Sequence, residues 1–130
     1  MQAFLITSLY AAVLALIMIG LSSHVSMQRG KANVSILDGG NAELQLRMRR
    51  HGNFVENVPM ALLLMLLAEL NGVGSTWIHA AGLLLVAGRI LHAMGLRADK
   101  ATALRLAGGV GSTLSSLLMI GNIIYLFATK

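Results

Sequence analysis

The residues best suited to chemistry gather in one stretch, positions 47–59, RMRRHGNFVENVP. Arg49 and Asn53 are four apart, and Asn53 and Glu56 three apart, so on a helix all three share one face. A guanidinium, an amide and a carboxylate so grouped, with further arginine nearby, suit a small ligand carrying both signs of charge. Its ammonium would meet Glu56 and its carboxylates the arginines, bidentately where geometry allows. Later in the chain Arg89 and His92 also share a face, and Arg105 opens the last apolar stretch. Each group has a plainer reading. Arg49, Asn53 and Glu56 could be an interhelical network that locks a bundle. Arg89, Arg97 and Arg105 could anchor helix ends by snorkelling, and for Arg97 that is the expectation. His24 and His79 stand alone and are expected in core or interface positions. No H-x-x-x-H or H-E-x-x-H spacing occurs, so no metal site is expected. Gly108-Gly109-Val110-Gly111 lacks a following Lys-Ser/Thr and is not a phosphate loop. With no cysteine, the chain has no thiol of its own.

The elements that must position these groups are membrane spans. The 130 residues are 56% hydrophobic and only 12% charged, against about 25% charged in a soluble domain. Mean hydropathy is +0.75. Residues 1–28 and 106–129 carry no Asp, Glu, Lys or Arg, and only Glu69 interrupts 57–88. Because about 20 apolar residues cross a bilayer, this is an all-α integral membrane protein. A disordered chain and a disulfide scaffold are excluded. One four-span domain covers 1–130.

The first span covers residues 3 to about 20 and continues as helix to 29. Its start has no cation, which favours an uncleaved span over a signal peptide. Residues 30–41 are a loop, and Asn41 is the expected cap of a second helix over 42–70. That helix is roughly 43 Å long, more than the hydrocarbon thickness of about 30 Å. Its first turns, with Arg47, Arg49 and Arg50, should therefore project into water. Glu56 then lies about 7 Å inside the hydrocarbon and needs a partner or a water-filled cavity. Pro59 should kink the helix locally. Turns at 71–76 and 96–100 bound a third span over 77–95, and the fourth runs over 101–128.

Nine of the ten Lys and Arg residues flank the first and third connections; only Lys130 lies elsewhere. The positive-inside rule places those connections in the cytoplasm and both termini outside, in a cell (inner) membrane. Phe4, Trp77, Tyr125 and Phe127 fall near the outer interface, which aromatics favour. The basic balance is thus a topology signal, and no nucleic acid is implied. Glu69 is expected near the outer surface in solvent, and the eight methionines as lipid-facing or gap-filling side chains. Small residues at four-residue steps (Ala107, Gly111, Ser115; Gly108, Ser112, Ser116) fit close helix packing, within one bundle or between subunits. Ala80, Ala81, Gly82, Ala87 and Gly88 do similar work on the third span.

At these residues the sequence resembles the MAPEG family, the membrane-associated proteins of eicosanoid and glutathione metabolism. The most specific part is R-x-x-x-N-x-x-E-x-x-P, here Arg49, Asn53, Glu56 and Pro59, and His51 fits a common variant. Gly88-Arg89-Ile-Leu-His92, with Arg105 sixteen residues after Arg89, is the second match. The resemblance implies a left-handed four-helix bundle assembled as a homotrimer, with glutathione between subunits at the cytoplasmic side. Arg49, Asn53 and Glu56 would hold the glutathione backbone. Arg29 would reach a carboxylate from a neighbour's first helix, Arg89 and His92 would line the pocket, and Arg105 would stabilise the thiolate. The implied activity is a glutathione transferase or peroxidase acting on lipophilic electrophiles from the membrane lipid. Departures are present: Leu96 and Gly109 stand where some members have tyrosines, Leu106 where a hydroxyl often follows the arginine, and Gly52 where some have arginine.

Two other readings compete. One is a glutathione-binding homologue without turnover. The other is a small four-span proton-coupled drug transporter. Such transporters rely on a carboxylate in the first span, and this one has none. Glu56 also stands beside arginines, whereas proton coupling needs a raised pKa.

Overall fold

The computed structural model describes residues 5–97 and 99–129. Phe4, Lys130 and the expected start of the first span at residue 3 lie outside these. Four helices, α1 (Ile6–Ala32), α2 (Ala42–Leu70), α3 (Ser75–Gly95) and α4 (Ala103–Thr129), make up nearly all of the described chain. Each is long and apolar enough to cross a membrane. The protein is therefore a multi-pass four-helix bundle. α1 continues three residues beyond the expected position and ends at Asn33, which takes a left-handed conformation with φ 53°.

Helix order in space follows the buried faces. α3 and α4 pack most intimately; α1 lies on α2 and α3, and α4 on α3 and α2. On α2 the buried positions beyond Leu44 in its first turn are Phe54, Val58, Ala61, Met65 and Ala68, and on α4 Gly108, Ser112, Ser115 and Met119. Both sets alternate steps of four and three. That average of 3.5 is the period of left-handed packing, which keeps one seam facing the partner along the whole span. Within the single chain the seam takes Gly108 and Ser112 from one expected row and Ser115 from the other, while Ala107 is exposed. Likewise Ala87 is exposed and Gly88 buried. A strict four-residue row drifts around a helix, so it cannot stay in one interface.

In lipid, apolar side chains gain little by leaving the solvent, so close contact and internal hydrogen bonds hold such bundles. Glycine supplies the contact. A Cβ on Gly88 would meet Ser112 Oγ at 2.7 Å and Gly108 O at 2.8 Å, and one on Gly108 would strike the His92 backbone. Ser115 Oγ donates to Ala81 O at 2.8 Å across the same seam. Met65 and Met119 fill the interior while Met18, Met27, Met60 and Met94 face outward.

The helix ends are capped in two ways. Asn41 accepts from Leu44 N at 2.8 Å, as its position before α2 predicts. α1 begins at Leu5 and has no side-chain cap of its own. Its first N–H groups are instead taken by the carboxylate of Glu69, which accepts from Ile6 N and, at 2.8 Å, from Thr7 N. This corrects the expectation that Glu69 is merely solvated: the orphan N–H groups at a helix start need acceptors, Ser8 N finds Leu5 O, and no local side chain serves Ile6 and Thr7. Tyr10 OH lies 3.0 Å from His79 Nδ1 at the same end, so His79 has a partner on α1. α2 runs unbroken through Pro59. Trp77, Tyr125 and Phe127 are exposed at this end of the bundle, and the arginines gather at the other.

Candidate functional site

At the basic end, α2, α3 and α4 are joined by one side chain. Arg89 is only 3% exposed. Its Nε donates to Ser112 Oγ at 2.7 Å, its Nη1 to Asn53 Oδ1 at 3.0 Å and its Nη2 to Gly108 O at 3.5 Å. Ser112 Oγ donates onward to Gly108 O at 3.0 Å. The guanidinium is thus surrounded by acceptors from two other helices. Its planar fork fits three directions at once, which an ammonium could not do. Arg89 is expected to line a pocket; in the single chain its guanidinium points between the helices and borders neither of the two clefts around Arg105. Its effect on a pocket is indirect. With Asn53 Oδ1 occupied, the Asn53 amide nitrogen is left as a donor aimed elsewhere.

Asn53 also borders a polar cleft of about 290 Å³, lined with it by Gln45, Arg49, Leu96, Arg97 and Arg105, with Ala42 and Leu46. Gln45, Arg49 and Asn53 follow at four-residue steps, so one face of α2 supplies a whole wall. On α4 a second, more apolar groove of about 730 Å³ runs past His92, Thr102, Arg105, Leu106, Gly109, Val110, Thr113 and Leu114. Arg105 belongs to both walls. A cation is thereby shared between a polar chamber at the bundle end and a groove reaching toward the lipid zone.

Arg105 is placed by its own helix start. Thr102 Oγ1 accepts from Arg105 N at 3.1 Å and itself donates to Gly95 O at the end of α3. A Cβ on Gly95 would strike the Arg105 backbone nitrogen. The glycine therefore lets the two helix ends close on each other, and the threonine fixes their angle.

The remaining site residues are distributed around this pair of clefts. Arg49 Nη1 lies 3.4 Å from Glu56 Oε1, one of three ion pairs among the described residues, with side chains 64% and 58% exposed in the single chain. His51 is half-buried on the same helix and borders neither cleft. Arg29 is used within its own chain: Nη1 donates to Leu37 O and Nη2 approaches Met48 Sδ at 3.5 Å. It holds the α1–α2 connection, in which Leu37 has a left-handed φ of 58°. Asp38 completes that connection by accepting from Gly40 N at 2.8 Å and Gln45 Nε2 at 2.9 Å. These two hydrogen bonds hold the Asp38 carboxyl below its usual range. Through Gln45 the connection is tied to the polar cleft.

Three contributors went unread in the sequence. Gln45 stands one turn before Arg49, a spacing that could have flagged it. Thr102 stands three before Arg105, the spacing of an N-cap. Arg97 was expected only to anchor a helix end; it lies in the α3–α4 connection, pairs with Asp99 at 3.5 Å and lines the polar cleft. No local pattern reveals that, because the turn's path decides it.

The chain matches the MAPEG family over residues 7–125. It is 41% identical, over 91 residues and 70% of each chain, to the inner membrane protein YecN of Escherichia coli strain K12, and equally to that of Escherichia coli O6:H1. No solved structure matches it. The family match spans all four helices and takes in both the Arg49–Asn53–Glu56 face and the Arg89-to-Arg105 pair, so the chain belongs to the MAPEG family.

Proposed function

We propose that this protein is a glutathione-dependent transferase or peroxidase of the inner membrane, with its basic end in the cytoplasm. The observation that carries the reading is the position of Arg105 in the wall shared by the polar cleft and the apolar groove. Glutathione has two carboxylates and an ammonium. The cleft offers Arg49, Arg97, Arg105 and Asn53, and Glu56, outside its lining, pairs with Arg49 at 3.4 Å. The charge types match, with cations in excess. Glutathione brings the sulfur that the cysteine-free chain lacks.

Arg105 then has a definite task. A free thiol of pKa about 8.5 is about 3% thiolate at neutral pH, and a two-unit lowering raises that to about three quarters. Such a shift corresponds to about 2.7 kcal/mol of differential interaction, which a guanidinium beside the sulfur would supply by favouring the thiolate. His92, Val110 and Leu114 line the groove along which a lipophilic electrophile would approach from the bilayer. Asn53, oriented by Arg89, positions the thiol compound.

A homotrimer belongs to the same reading. Glu56 and Asn57 are exposed on the single chain, on the part of α2 that lies inside the hydrocarbon in this reading. Ionised groups facing hydrocarbon cost a few kcal/mol each. A second copy covering this face of α2 removes that cost. A second reading, binding without turnover, is favoured by the apolar character of Leu96, Leu106 and Gly109 in the two walls.

The test is ultraviolet thiolate absorbance of the purified protein with added glutathione near neutral pH. A stoichiometric rise that Arg105→Ala abolishes, with the assembled mass unchanged, is the expected result. No rise, together with no thermal stabilisation by glutathione, removes the reading. Binding without a rise selects the silent homologue.

A further inference from the structure

We propose that a separate cleft between α1, α2 and α3 at the basic end binds the phosphate of an anionic phospholipid. The cleft, about 310 Å³, is lined by Leu21 and His24 of α1, Arg47 and Arg50 of α2, and Ala93 and Met94 of α3. None of these residues borders the clefts around Arg105. The inference is independent of the thiol chemistry.

Two arginines face one small cleft, and only one is neutralised. Arg47 Nε pairs with Glu43 Oε1 at 2.7 Å, and its Nη1 donates to His24 O at 3.2 Å, which fixes it against α1. Arg50 Nη2 donates to Leu96 O at 2.9 Å. That carbonyl satisfies one N–H but cancels no charge. Arg50 Nε is buried without a hydrogen-bond partner, and no carboxylate lies within ion-pair distance of Arg50 among the described residues. Arg50 as a whole is half-buried, and leaving its buried Nε–H unsatisfied is costly, a cost that a ligand anion relieves. Leu96 directly follows α3, so the grip on its carbonyl places the guanidinium level with the end of a span, where lipid phosphates lie. The rest of the lining, Leu21, Ala93 and Met94, is apolar. The occupant must present an anion at the interface and hydrocarbon beside it. A free inorganic anion has only the first property, and an anionic phospholipid has both. Basic pockets between helices on the inner face are suited to such headgroups.

The experiment uses the intact protein in lipid nanodiscs of pure phosphatidylcholine and of phosphatidylcholine with one-fifth phosphatidylglycerol, with native mass spectrometry of retained lipid and thermal unfolding as readouts. Expected is preferential retention of phosphatidylglycerol, weakened about fivefold in Arg50→Gln and again in the Arg47→Gln/Arg50→Gln double variant, the ratio that about 1 kcal/mol per basic residue represents. Lys31→Gln, an exposed cation outside the cleft, should retain the preference. Unfolding in pure phosphatidylcholine identifies any variant that has lost its fold. If Arg50→Gln has, Arg47→Gln alone carries the test. Equal retention of both lipids by the parent protein overturns the proposal. So does a loss in Lys31→Gln as large as in Arg50→Gln, which would mean general surface attraction. Stabilisation by inorganic phosphate alone that matches the lipid effect overturns the lipid assignment.

Discussion

Gly108 and Gly109 are adjacent on α4, yet alanine should have opposite effects at the two positions. At Gly108 a Cβ would strike the His92 backbone nitrogen and lie 2.5 Å from Gly88 O and 2.8 Å from His92 Cα. All three are backbone atoms and cannot swing aside. Ordinary contact begins at 3.4 Å, so α4 must withdraw from α3 by about 1 Å at this point. Overpacking of this kind costs about 1–3 kcal/mol. The long Arg89 Nη2 contact to Gly108 O, already 3.5 Å, is lost as well, which places the cost toward the upper end. At Gly109 nothing lies within 4 Å of a Cβ. There the substitution removes only backbone freedom and should stabilise the helix by about 0.4–1 kcal/mol. The two variants should therefore differ by about 3 kcal/mol, on the order of 10 °C in Tm. Thermal unfolding of the purified proteins in one detergent measures this. Activity gives a second reading, since Arg105 stands three residues before Gly108. Under the proposed function, a shift of about 1 Å in its wall should lower glutathione conjugation about 100-fold in Gly108→Ala. Gly111→Ala, whose nearest contacts are 3.4 and 3.5 Å, should be intermediate. If Gly108→Ala and Gly109→Ala melt within about 0.5 kcal/mol of each other, the close α3–α4 crossing is wrong, and with it the account of how Arg105 is placed.

Two further outcomes follow from the same geometry. Arg89→Lys keeps the charge but cannot reach Ser112, Asn53 and Gly108 together; each hydrogen bond to a charged group that is lost should cost about 1.5–3 kcal/mol. Calorimetric binding should show weaker glutathione affinity as Asn53 loses its orientation, and unchanged affinity would separate Arg89 from the site. The α1–α2 connection should loosen only in acid. Asp38 has its carboxyl lowered by Gly40 and Gln45, so its contribution is present above the ordinary aspartate value of about 3.9 and is lost as pH falls through the lower folded value. Exchange of the Gly40 amide should rise across that acidic window in the parent and show no such step in Asp38→Asn.

The sequence alone determined the membrane class, the number of spans and nearly all of their bounds. Those properties are one-dimensional: a run of apolar residues long enough to cross, and charge confined to its ends, can be counted along the chain. The Arg49–Asn53–Glu56 face was legible because helical spacing is fixed by the backbone. What lies across from a helix was not legible. Whether Arg89 points to a cleft or between helices depends on where Ser112 and Asn53 arrive from α4 and α2. Glu69 caps a helix start more than 60 residues away because α1 has no side-chain cap of its own there. The seam on α4 follows steps of four and three rather than the straight rows of small residues, since two helices must wind to remain in contact. Arg97 joined the cleft through the path of a turn, and Arg105 came to border two clefts only when Gly95 let α3 and α4 close. Local spacing fixes which residues share a face, but only packing between distant segments decides what that face meets.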